Sequence, residues 1–218
     1  MPSVRGFDVL RQTVDAPPRH QRTPVQERMR REAIELARTE NLVDAAYSYR
    51  IVALEGPAGD LLCVDGEKLP APWLIPETGE LTGVACGVCT IGARIVSRVG
   101  ELFAERRRSL ALALDSLANE LLFAVVRRAQ DRMFADAKKA GLTMAGELRA
   151  GDPGLALEAQ STVLRLAEAE NVGVSLTRGA MMHPVKSASM VLGVGLALPK
   201  TEWSRCDHCP SRERCAVV

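Results

Sequence analysis

Asn171-Val-Gly-Val-Ser-Leu-Thr-Arg-Gly-Ala-Met-Met-His-Pro-Val-Lys-Ser-Ala-Ser-Met-Val-Leu-Gly193 reads as a strand, a polar turn and a second strand. Residues 172–176 and 190–198 are aliphatic and β-branched, and the arginine, glycine and proline between them break any helix. His183-Pro184 and Lys186-Ser187 fall at the turn, where a lysine, a hydroxyl and backbone amides suit an anionic ligand. The competing reading makes Met181 and Met182 core filler and Lys186 a solvated surface charge.

Upstream, Thr23-Pro24-Val25-Gln26 has the form of a helix start, with Thr as cap, Pro in the first turn and Gln closing a capping box. Val25, Met29, Ala33, Leu36 and Ala37 then share one helical face. Residues 47–54 and 61–65 read as strands, joined through a turn at 55–59, and 66–80 as a structured loop. Helices are expected after Thr90 and from about Ser109 to Lys139. The second carries Leu110, Leu114, Leu117, Leu121 and Val125 at helical spacing. A glycine-bearing loop at 146–154 leads to a further helix at 155–169. This order of strands, a helical middle and returning strands predicts an α+β domain rather than alternating βαβ units. The expected division is a flexible arm at 1–22, one domain at 23–200 and a cysteine-rich tail at 201–218.

The chain has 218 residues, 47% hydrophobic, 25% charged and 4% aromatic, with a net charge of +1. Disorder throughout is excluded, and Leu, Val, Ala, Ile and Met must build the core. The charge balance argues against general nucleic-acid binding, which rests on excess Lys and Arg. Arg106-Arg-Arg108 reads as a solvated charge run. With no run near 20 apolar residues and no apolar leader, the expectation is a cytoplasmic protein without a membrane partner. The oligomeric state is not legible. Of the common signatures, P-loop, G-x-G-x-x-G and H-E-x-x-H are all absent.

In a reducing compartment, clustered cysteines point to metal or redox chemistry. Cys206, Cys209 and Cys215 are spaced C-x2-C-x5-C among Arg, Asp, His, Ser and Glu, which leaves them no core to join. Cys86 and Cys89 form a second C-x2-C, and His208 could replace one sulfur. Two such pairs would satisfy tetrahedral zinc, whereas three close thiolates with one remote partner suit an iron–sulfur cluster. The spacing favours a cluster (4Fe-4S) over zinc, although packing of Cys86 and Cys89 as small hydrophobes stays open beside it. Cys63, among Leu and Val, reads as packing.

From about Gly87 to Gly195 the chain resembles the activation, or reactivation, domain of cobalamin-dependent methionine synthase, and most of all its short stand-alone relatives. Thr90-Ile-Gly-Ala-Arg94, Leu102-Phe-Ala, Ala113-Leu-Asp115-Ser-Leu-Ala, Leu157-Glu-Ala-Gln160 and Gly173-Val-Ser-Leu-Thr177 carry the resemblance. Met181-Met-His-Pro-Val-Lys-Ser-Ala-Ser189 carries it most strongly. It implies a twisted antiparallel sheet with surrounding helices, a corrinoid protein or methyltransferase as partner, and S-adenosylmethionine as ligand. Ligand contacts are then expected at Arg149, Gly151, Lys186 and Ser187. The family's loop has Arg, three residues and Gly-Tyr. Here Arg149 stands two residues before Gly151, and Asp152 follows the glycine.

The expected function is an iron–sulfur accessory protein for reductive activation of a corrinoid methyltransferase. The alternatives are a zinc-stabilised binding module with a vestigial cleft, and a methyl-transfer enzyme using S-adenosylmethionine.

Overall fold

The computed structural model describes residues 3–14 and 22–199. In chain order its elements begin with β1 (Ser3–Arg5), α1 (Val9–Val14), α2 (Pro24–Thr39) and β2 (Ala46–Ala53). A small hairpin follows, β3 (Leu62–Val64) and β4 (Glu67–Leu69), then β5 (Glu80–Thr90), α3 (Arg94–Ala104) and α4 (Arg108–Lys139). The chain continues through β6 (Thr143–Leu148), α5 (Gln160–Leu166), β7 (Ser175–Leu176), β8 (Met182–His183) and β9 (Ser187–Leu196).

One five-stranded sheet in the order β1-β2-β5-β9-β6, antiparallel throughout, organises the fold. The α+β expectation therefore holds, with an antiparallel sheet and surrounding helices. β5 is central: Cys86 lies opposite Arg50 on one side and Val191 on the other. Both faces of the sheet are covered, so β5 and β9 are buried almost without interruption. On one face Ala85, Cys89, Met190 and Leu192 pack with Leu114, Leu117, Leu121 and Met133 of α4. On the other, Val84, Cys86, Val88 and Val191 meet Leu62 and Leu69 of the hairpin and Val163 and Leu166 of α5.

The start of α2 follows the sequence reading. Thr23 Oγ1 accepts from the Gln26 amide at 3.3 Å, and Gln26 Oε1 accepts from the Thr23 amide at 2.9 Å. α4 has the length and composition of a membrane-crossing helix. Eleven of its residues are buried among those described, from Leu110 to Ala137. That apolar stripe faces the sheet and places α4 as the central core helix.

Several segments depart from the sequence reading. Residues 3–14 are not a free arm. β1 pairs with β2, and Val9 and Leu10 are buried against the α4 face. The loop expected at 146–154 begins only after β6, whose Leu148 lies opposite Val191. The helix expected at 155–169 is broken into two 3-10 turns flanking the two-turn α5, and Glu168 adopts left-handed backbone with φ +52°. Cys86 and Cys89 lie inside β5, so the second C-x2-C is extended strand rather than a tight turn.

Candidate functional site

The two segments singled out for ligand binding converge on neighbouring strands. Lys186 enters β9, and Arg149 follows β6, the strand paired with β9. One side of α4 supports both. Lys186 Nζ donates to Asn119 Oδ1 at 2.7 Å and pairs with Asp115 Oδ1 at 2.8 Å. Eleven residues beyond Asn119, Gln130 Nε2 donates to Glu147 Oε2 at 2.8 Å. Asp115 and Asn119 stand four residues apart and so project from the same side of the helix. A carboxylate and an amide at that spacing inside a leucine-rich run were the readable sign of this support.

Lys186 is therefore no solvated charge. Its side chain is only 15% exposed, and its carbonyl accepts from the Ile91 amide at 3.2 Å. Ser187 does not join it in a ligand site. It is buried, and its Oγ donates to Thr90 Oγ1 at 2.9 Å across the β5–β9 pair. Neighbouring residues of a strand face opposite ways. Lys186 accordingly reaches α4 while Ser187 belongs with Ser189, which accepts from Gln160 Nε2 at 2.9 Å. These hydroxyls tie strands and α5 together.

Arg149 sits in a tightly closed loop. Its amide donates to Asp152 Oδ2 at 3.0 Å, the Asp152 amide to the Arg149 carbonyl at 2.8 Å, and the Gly151 amide to the Leu155 carbonyl at 2.9 Å. Gly151 has φ +94°, a left-handed turn that glycine enters without steric cost. The Arg149 guanidinium donates through Nε (3.1 Å) and Nη2 (2.8 Å) to Glu147 Oε1. Both side chains are mostly buried, so this is a preformed pair of opposite charges beside the edge of the sheet. Glu147 and Gln130 were missed in the sequence, where nothing marks a glutamate two residues before an arginine as its partner. Trp73 was missed as well. It projects from a 3-10 turn (Pro72–Leu74) onto this same loop, at Gly154.

The proposed metal ligands of the body do not come together. Cys86 faces the α5 side of the sheet and Cys89 the α4 side, because residues three apart in a strand lie on opposite faces. Both are fully buried. Burial pushes the Cys86 thiol up to about 12, against a small opposing effect of Arg50. Burial likewise raises Cys89, with Arg149 pulling down and Glu147 pushing up from nearby. Neither presents a thiolate, and no single ion can take both. Among the described residues, no group of three or more His, Cys, Asp or Glu side chains is placed to hold a metal. Cys206, Cys209 and Cys215 lie outside the described residues.

A wide concavity opens at the far end of β5, lined by Leu54, Pro57, Ile75, Pro76 and Leu81. Its nearby Glu55 carboxylate already accepts from the Gly66 amide at 2.7 Å. Volume alone does not make it the site, since convergent polar groups are what fix a ligand. The Glu147–Arg149 loop has those groups.

No protein-family model matches this sequence. No curated protein matches it either. Among solved structures, the chain is similar to the MetH reactivation domain bound to AdoHcy, with a TM-score of 0.67 and 14% identity over 93% of this chain and 80% of that one. The fold of this chain thus resembles that of the methionine synthase reactivation domain, in agreement with the motifs read from the sequence.

Proposed function

We propose that this chain is a reactivation module for a cobalamin-dependent methyltransferase, and that its Glu147–Arg149 loop takes an S-adenosyl amino acid. The fold likeness over 93% of the chain carries this reading, because the similar domain was solved with AdoHcy bound. The charges fit such a ligand. An amino acid end brings one carboxylate and one ammonium, matching the Arg149 guanidinium and the Glu147 carboxylate, which now satisfy each other. Ligand binding would open that internal pair, while Gln130 keeps Glu147 in place through Oε2. S-adenosylmethionine itself would supply an electrophilic methyl group. Lys186, fixed by Asp115 and Asn119, orients the turn that leads into β9 and holds it against α4. Titration calorimetry with S-adenosylhomocysteine tests the reading: saturable heat is expected, lost in Arg149→Ala. No heat at millimolar ligand overturns it.

A second reading concerns electron supply. Cys206, Cys209 and Cys215 keep the spacing of a thiolate site, and His208 lies within it. With Cys86 and Cys89 committed to the core, His208 within the run and the exposed thiol of Cys63 are candidates for a fourth ligand. An iron–sulfur cluster there would make the chain a one-electron donor to the corrinoid. Zinc would make the tail a structural clip. Metal and acid-labile sulfide analysis of anaerobically purified protein separates them. Iron with sulfide, both lost in Cys206→Ser, supports the cluster, and zinc without sulfide overturns it.

A further inference from the structure

Trp73 stands half exposed, at 52%, in a protein with only two tryptophans. Large aromatic side chains are buried on average far more than this. Its position is specific. A Cβ added to Gly154 would stand 2.5 Å from Trp73 Cγ and 2.8 Å from Cδ2, so the indole lies directly on the bare backbone of that glycine. Gly154 has φ +85° and belongs to the same closed loop that begins at Arg149. Leu157, 43% exposed, also borders this loop, with Cδ1 3.9 Å from the position of a Gly151 Cβ. The residues that follow the two loop glycines, Asp152 and Leu155, supply no ring. Leu155 is buried in the core. Among the described residues, the aromatic surface at this loop therefore comes from a separate element.

We propose that Trp73 is the stacking platform for the planar heteroaromatic ring of the ligand, and that Trp73 and the Glu147–Arg149 pair bind opposite ends of one molecule. This rests on the S-adenosyl amino acid reading above and deepens it. A ring-bearing nucleoside end needs a flat π surface, whereas the zwitterionic end needs fixed charges of both signs. The loop provides the second, and Trp73 provides the first beside it. Stacking of a base on an aromatic side chain tolerates many rings but requires a flat one.

The test uses the full chain carrying Trp203→Phe, so that Trp73 is the sole indole. Its fluorescence is followed while S-adenosylhomocysteine, adenosine or methionine is added, with calorimetry in parallel. Saturable quenching by S-adenosylhomocysteine and by adenosine is expected, with none from methionine. Trp73→Ala should weaken S-adenosylhomocysteine about tenfold or more, and Trp73→Phe by less, since a smaller ring still stacks. Both variants are checked for unchanged melting, and Trp73→Phe carries the test if Trp73→Ala does not fold. Tight binding that both variants retain in full, or binding without quenching, overturns the platform and leaves the charged-pair reading standing. Absence of heat with the parent chain overturns that reading, and the adenosine arm then decides Trp73 alone. Unchanged fluorescence with adenosine there overturns it.

Discussion

Cys86 and Cys89 behave as core residues, and their chemistry follows from that. The unfolded chain exposes both thiols at their ordinary range near 8.5. Burial raises both in the folded protein, Cys86 to about 12. The unfolded state therefore releases its thiol protons first, so stability is full below about pH 8.5 and declines as the pH rises toward the folded values. Each thiol contributes a slope of about 1.4 kcal/mol per pH unit across that window. Cys86→Ala should remove one such slope, measured by chemical denaturation between about pH 9 and pH 11. In native buffer, exposed Cys63 should react quickly with a thiol reagent in a chain whose tail cysteines are serine, and Cys86 and Cys89 only on unfolding. The spacing C-x2-C was legible, but its geometry was not. Residues three apart meet in a turn and diverge in a strand. Apolar Val84, Ala85 and Val88 were the sign that this pair belongs to a strand. Lys186 shows the opposite gap: its motif was legible, and its partners on α4, some 70 residues earlier, were not. Lys186→Ala should cost about 1 kcal/mol of stability by leaving Asp115 and Asn119 without their partner.

At the scale of elements, the strongly periodic segments were legible and the short ones were not. The leucine spacing of α4 and the capping box of α2 specify themselves locally. β1 and α1 carry no such signal, because three- and six-residue elements exist only through their neighbours. Deleting residues 1–14 should therefore destabilise the protein by several kcal/mol. Buried Val9 and Leu10 alone contribute about 1.5–3 kcal/mol each. A free arm would give no change in the denaturation midpoint. Two glycines offer a finer comparison within the sheet. A Cβ on Gly87 would meet Met133 Cε, the end of a flexible side chain, whereas one on Gly195 would meet the Glu80 carbonyl oxygen of the paired strand. Gly87→Ala should cost about 1–3 kcal/mol as Met133 repacks. Gly195→Ala should cost more, since the β5–β9 pairing itself must part. The break in the helix at 155–169 was hidden because its apolar periodicity runs through the break, and the left-handed turn at Glu168 has no glycine to announce it.

At the scale of the molecule, the fold class was readable from the order of elements, whereas the strand order was not. β5 and β9 are neighbours along ten residue pairs, from Glu80–Leu196 to Thr90–Ser187, yet about 100 residues separate them along the chain. No local pattern encodes such a pairing. The site inherits this. Arg149 and Lys186 are carried by neighbouring strands only because β6 and β9 pair, so the loop and the turn were legible separately and their common support on α4 was not. The same long-range pairing has a kinetic consequence. Closing the centre of the sheet means ordering a loop that contains α3, α4, β6 and α5, and this entropy must be met before any β5–β9 contact repays it. The helices, built from near neighbours, can form on microsecond timescales, while the sheet waits for them. Stopped-flow refolding should show helical ellipticity gained early and Cys86 protection acquired in a separate, slower phase. The β9 edge of the central strand would then be the last part of the sheet to become native, and during synthesis that edge stays unpaired until β9 has left the ribosome.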